Sequence, residues 1–182
     1  YLDRTGNRKF WTADKIVGLS AMFISLMTLV IFIRQTNIIE EQSHLSVLPY
    51  LMMETSNDSE LGRFKIDIEN QGVGPAIIES RVILYKNELF DMEFADFLKQ
   101  NIPAMDSVET INVSTLQQGL AISAGAKRNV LTVGGSRESY LQFLQIMQQL
   151  DEEGFDYRIQ YRSIYNDSWT ISSDTDVPTP VD

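Results

Sequence analysis

IVGLSAMFISLMTLVIFI, residues Ile16 to Ile33, is a run of eighteen residues without a charge. As a helix rising about 1.5 Å per residue it reaches roughly 27 Å, close to the hydrocarbon thickness of a bilayer. Lys15 and Arg34 bracket it, and Trp11 stands where an interfacial aromatic anchors the near end. A helix apolar on every side needs a large protein to cover it if it is to lie in a soluble core, and this chain has 182 residues. A cleaved signal peptide has a shorter apolar run that ends in small residues, whereas this one ends in Val30-Ile31-Phe32-Ile33-Arg34. The stretch predicts a retained single-pass transmembrane helix over 16–33, preceded by an N-terminal flank, 1–15.

Charge sets the expected orientation. Arg4, Arg8, Lys9 and Lys15 precede the run, and only Arg34 follows it before Arg63. The positive-inside bias puts the N-terminus in the cytoplasm and the C-terminal domain outside a cell (inner) membrane. Gly18, Ala21, Ser25 and Thr28 fall on one helical face, and Ala21-x-x-x-Ser25 is a small-xxx-small step that permits close helix–helix packing in lipid. The same small residues equally suit a face turned to lipid. Residues 34–45 continue the helix as a juxtamembrane stalk, with Ile38 and Ile39 on one side and Glu40 and Glu41 on another; Pro49 marks its end or the entry to a strand.

Composition excludes several chemistries. The chain carries 15 basic and 25 acidic residues, no cysteine and one histidine. Disulfide frameworks, thiolate zinc sites and thiol catalysis are therefore excluded. From Ser46 onward ten basic residues face twenty-one acidic ones, a net of −11. General nucleic-acid binding is not expected from such a surface, and neither is contact with anionic headgroups.

Beyond the stalk, short β patterns dominate. Phe64-Lys65-Ile66-Asp67-Ile68-Glu69 alternates strictly, which places Phe64, Ile66 and Ile68 inward and Lys65, Asp67 and Glu69 outward. Val47 to Glu54, Ala76 to Tyr85, Glu109 to Leu116, Ala126 to Val133 and Tyr157 to Tyr165 read as further strands. Ser168 to Ser172 reads as a return strand after the turn dipeptide Asn166-Asp167. Glu88 to Gln100 and Ser136 to Glu153 have helical period; Ser136 is a natural N-cap and Gly154 a stop. The expectation is a mainly β fold: an N-terminal transmembrane helix followed by one soluble β-rich domain, 46–173, built as a β-sandwich with two inserted helices. An α+β sheet is the alternative. The proline-rich tail, 174–182, is expected to be disordered.

Asn70-Gln71-Gly72-Val73-Gly74-Pro75-Ala76, following an alternating strand, resembles the N-x-G-x-G-P-A turn of small bacterial membrane-anchored proteins. In these an Ig-like sandwich follows a single N-terminal span, and Ile159 to Trp169 is similar to their closing hairpin. The resemblance implies that architecture and no reaction. Within the turn, Gly72 and Gly74 are expected to permit positive φ, and Pro75 to fix the entry to the next strand. Neither a Walker A loop nor a dinucleotide G-x-G-x-x-G is present.

Chemistry-bearing constellations are few. His44, the one imidazole, lies in the stalk near Glu40 and Glu41 and reads as solvated rather than as a metal ligand or triad base. Asp67 with Glu69, and Asp151-Glu152-Glu153, read as solvated acidic faces. Asn57, Asn112 and Asn166 head triplets of the glycosylation type. Trp169 and Tyr165 read as core or sheet-edge aromatics, and as recognition anchors if exposed. Gly134-Gly135-Ser136-Arg137 is the most suggestive site: a strand passes through two glycines into a helix N-terminus, which suits an anion. Lys127, Arg128, Arg158 and Arg162 would join it if the neighbouring strands pair. Two functions follow as expectations. One is a non-enzymatic, cofactor-free interaction domain held at a lipid bilayer, docking a partner protein or forming a homo-oligomer. The other is a membrane effector or sensor reading an anionic small ligand, such as a cyclic nucleotide in antiviral defence, at that turn.

Overall fold

The computed structural model describes residues 13–181, apart from the side chain of Asp176. The expected flanking residues Arg4, Arg8, Lys9 and Trp11 lie outside the described residues. The chain divides into two compact units at His44 and Leu45.

The first unit is helix α1, Ala13–Leu45, which includes both the apolar run and the expected stalk without a break. Its 33 residues amount to about 50 Å of helix. It is long and apolar enough to cross a membrane, and none of its residues is buried. Hydroxyls at Ser25, Thr28 and Thr36 bond back to carbonyls one turn earlier in the helix. Ser25 Oγ donates to the Ala21 carbonyl and Thr28 Oγ1 to that of Ile24, each at 2.8 Å.

The second unit is β-rich, with two antiparallel sheets around one core. The first sheet has the order β1 (Leu51–Asp58), β2 (Arg63–Asn70), β7 (Lys127–Val133), β5 (Thr110–Val113). The second runs β10 (Thr175–Pro180), β9 (Ser168–Ser172), β8 (Asp156–Arg162), β3 (Ala76–Tyr85), β4 (Glu88–Phe90), and the two-residue β6 (Ala121–Ile122) also pairs with β3. Helix α2 (Phe94–Asn101) brings Phe94 and Phe97 into the core, where Phe94 stacks on Tyr157 with ring centroids 5.5 Å apart. Helix α3 (Arg137–Glu152) lies against β2 and β7, and its Phe143 meets Phe64 at 5.3 Å. Every buried apolar residue of this core comes from Leu51 or later.

The turn from Asn70 to Ala76 carries the chain from β2 in one sheet to β3 in the other. Its glycines are required for a different reason from the expected one, because neither adopts positive φ. A Cβ on Gly72 would fall within contact of Leu48, Pro49 and Tyr50 backbone atoms, and one on Gly74 would strike the Val47 backbone. The segment before β1 is laid against this turn: Gln71 N donates to Tyr50 O at 2.8 Å and Val73 N to Leu48 O at 3.0 Å. This is why β1 starts at Leu51 rather than at Val47. Asn70, fully buried, ties the region together. Its Oδ1 accepts from Tyr50 N (3.1 Å) and Gly72 N (3.0 Å), while Nδ2 donates to Gly74 O (2.8 Å) and Ile122 O (2.9 Å).

Three further expectations are corrected. The helix expected over Glu88–Gln100 is split: Lys86 (φ 52°) and Asn87 (φ 64°) close a two-residue hairpin, so Glu88–Phe90 returns as β4 before α2 begins. Asp67 does not face water. A bulge places Ile66 opposite Leu131 and Asp67 opposite Asn129, and Asp67 turns inward to accept from Asn129 Nδ2 at 2.7 Å. Residues 175–180 of the tail expected to be disordered form edge strand β10 on β9. Val181 N donates to Ser168 O at 2.9 Å, so the amide position of Pro180 is turned away from β9, and the register is irregular between Thr175 and Thr179.

Candidate functional site

The Gly134–Arg137 turn has the expected local form. Gly135 takes φ 94°, Ser136 is extended, and Ser136 Oγ accepts from Ser139 N at 3.1 Å as a helix cap. An acidic side chain of the protein is already seated there. The Glu109 carboxylate lies over Gly135, inside the space that any side chain at that position would take. Its backbone joins the same turn: Gly134 N donates to Glu109 O, and Glu109 N to Ser139 Oγ, each at 3.1 Å. The positive end of α3 is thus faced by a resident negative charge, and a second anion would meet repulsion.

The four bases expected to converge there do not. Lys127 and Arg128 stand at the opposite end of β7, roughly 20 Å along the strand. Lys127 pairs with Glu54 and, at 3.4 Å, with Asp67; Arg128 donates to Thr115 O at 3.0 Å. Arg158 pairs with Asp156, and Arg162 with Glu79 at 3.5 Å, both in the other sheet.

That sheet carries a polar cleft which sequence reasoning missed. Ile78 is opposite Tyr161 and Ser80 is opposite Gln160, so Glu79 is the extra residue of a bulge in β3. Bulges re-aim side chains. Here the Glu79 carboxylate accepts from Gln160 Nε2 and Ser168 Oγ, both at 3.1 Å, beside Arg162 Nε. Arg162 also donates to Asn166 Oδ1 at 2.7 Å. Glu79, Gln160, Asn166, Asp167 and Ser168 border an open cleft of about 600 Å³ that Trp169, Pro180 and Val181 also line. Trp169 stands opposite Tyr161 and stacks on it with centroids 5.8 Å apart, on the face of the sheet that packs into the core, whereas Gln160 and Ser168 point from the other face. Trp169 was visible in the sequence as a candidate anchor. The bulge that brings Glu79 beside Gln160 and Ser168 has no local signature.

Other charged clusters are structural in form. Glu93, buried, accepts from Leu116 N at 3.1 Å and lies 2.8 Å from Arg81 Nε. The neighbouring Tyr157 hydroxyl is buried without a hydrogen-bond partner, and burial, with the Glu93 charge, pushes its pKa up. Glu153, expected to be solvated, accepts from the Tyr85 hydroxyl and from Gln149 and pairs with Lys86, which together hold its pKa down at about 2. On α1, Glu40, Glu41 and His44 share a surface with Asn37. Among the described residues, no group of three or more His, Asp or Glu side chains is placed to hold a metal. No protein-family model, curated protein or solved structure matches the chain.

Proposed function

We propose that the protein is a membrane-anchored, non-enzymatic interaction domain: α1 crosses the bilayer once, and the β-rich unit docks a partner protein or a second copy of the chain. The observation that carries this reading is the division of apolar surface. The core of the β-rich unit is drawn entirely from Leu51 onward, while α1, apolar over the whole run from Ile16 to Ile33, has no buried residue. A helix of that composition needs a solvent other than water, and lipid is the one that its length fits. Tethering then raises the local concentration of partners, so a modest binding face suffices.

The two antiparallel sheets are read as the layers of an Ig-like sandwich, with Asn70–Ala76 as the crossing between them. The flanking charges favour a C-terminal unit outside the cytoplasm. Gly18, Ala21, Ser25 and Thr28 are the proposed packing face for self-association in the bilayer. The anion-sensing alternative loses support from the Glu109 carboxylate at Gly135 and from the dispersal of the bases.

Two measurements test the reading. The intact chain is expected in the membrane fraction after alkaline carbonate washing, and a C-terminal reporter that works only outside the cytoplasm is expected to be active. A chain that remains monodisperse in buffer without detergent would overturn the anchor; an active cytoplasmic reporter would reverse its orientation.

A further inference from the structure

We infer that, given the membrane-anchored reading on which this rests, α1 pairs with a second copy of the chain as a parallel, left-handed coiled coil that continues past the lipid to the end of the stalk. Val17, Ile24, Ile31, Ile38 and Leu45 recur every seven residues along α1. With these at the d positions of a heptad, Ala21, Thr28, Gln35 and Gln42 fall at a. Inside the apolar run every position is apolar or small, so the repeat carries its information in the stalk. There Ile38 and Leu45 lie at d and Ile39 at the flanking e, whereas the outward b, c and f positions hold Thr36, Asn37, Glu40, Ser43 and His44. All three apolar side chains of the stalk are therefore on the seam. Each is more than half exposed: Ile38 by 54%, Ile39 by 65% and Leu45 by 58%.

Lipid does not cover that seam. Leu45 lies about 18 Å beyond Ile33 along the helix axis, past the headgroup layer. Polarity points to an identical chain as its cover. An amide both donates and accepts, so Gln35 and Gln42 each satisfy the matching amide of a second copy when the two helices are parallel and in register. Insertion through one bilayer in one direction supplies the parallel arrangement. The charges agree with it. In a parallel pair the g residues Arg34 and Glu41 flank Ile39 and Ser46 of the other copy, so no like charges meet, and Glu40 at f points away. The Ala21-x-x-x-Ser25 step alone would permit a right-handed crossing at about −40°, from which the stalks diverge. The seven-residue repeat instead keeps them in contact at about +20°.

The chain has no cysteine, so single replacements report proximity without background. Gln35→Cys, Ile38→Cys and Gln42→Cys on the seam, Asn37→Cys and Glu40→Cys on the outward face, and Ala21→Cys and Ser25→Cys in the span are each made in the full chain. Membranes are washed with carbonate to establish retention, then oxidised with copper phenanthroline. Disulfide-linked dimers are expected from the stalk seam set and not from the outward set, because a disulfide needs Cα atoms within about 7 Å. Ile38→Ser should lower the Gln42→Cys dimer yield about tenfold, the order expected for one buried aliphatic side chain, while Glu40→Ser should leave it unchanged. Equal yields from both stalk faces, or none from either, overturn the coiled coil. Dimers from Ala21→Cys or Ser25→Cys with none in the stalk also overturn it, and leave a crossing confined to the lipid. Extraction of the chain by carbonate removes the anchor and this pairing with it, a result read before any oxidation.

Discussion

Asn70 makes four side-chain hydrogen bonds with no exposed surface. Replacing it by alanine strands Tyr50 N, Gly72 N, Gly74 O and Ile122 O inside the protein. Since each unsatisfied buried group costs about 1–3 kcal/mol, Asn70→Ala is expected to lower the denaturant midpoint by the equivalent of about 3 kcal/mol or more. Gly74→Ala should be comparably damaging without removing any hydrogen bond, because the new methyl strikes Val47 backbone. The sequence identified this turn correctly and misjudged its physics. Positive φ is a local property that glycine advertises, whereas close approach depends on a segment more than twenty residues earlier. Ionisation makes a further test at this scale. Hydrogen bonds from Tyr85 and Gln149 and the charge of Lys86 lower the Glu153 pKa to about 2 from an ordinary 4.5. A lowered folded-state pKa gives stability that is complete above the ordinary value and is lost as pH falls toward 2. Glu153→Gln should therefore flatten the acid limb of a melting-temperature profile between these values. Asp156 acts in the same direction: burial opposes its charge, but Ser172, Arg158 and Ser173 outweigh burial and lower its pKa.

Among the elements, those with strong periodicity and end signals were the legible ones. Helix α3 begins after its Ser136 cap and ends before Gly154 at φ 76°, as its sequence dictates, and Ser136→Ala should cost about 1 kcal/mol in denaturant unfolding. Strands β3 and β9 fall where alternation and turn residues place them. Strand β4 was hidden because Glu88 to Gln100 has a helical period that continues into α2. The decisive signal was the preceding pair, Lys86-Asn87, both at positive φ. Asn87→Val forces a β-branched residue into that region and should destabilise the hairpin by about 1–2 kcal/mol, while Asn87→Gly should be neutral or better; thermal melts of the pair check this. The Glu79 cleft was illegible for a related reason: bulges are set by the register between strands some eighty residues apart, which no local pattern records.

For the whole molecule, the informative boundary is the one between His44 and Leu45. Since no residue of α1 enters the core, removing residues 1–44 should release the β-rich unit into solution with its melting temperature little changed, and a large loss would show that the two units fold together. Ala21→Leu with Ser25→Leu should weaken self-association of the span in a bilayer reporter assay if that face is used, and should leave insertion unaffected. The alternation of β10 has a consequence at the same scale. An unpaired strand edge is a template on which a neighbouring chain's strand can pair. Pro178 and Pro180 supply no amide hydrogen to such pairing, which makes β10 a poor template for it.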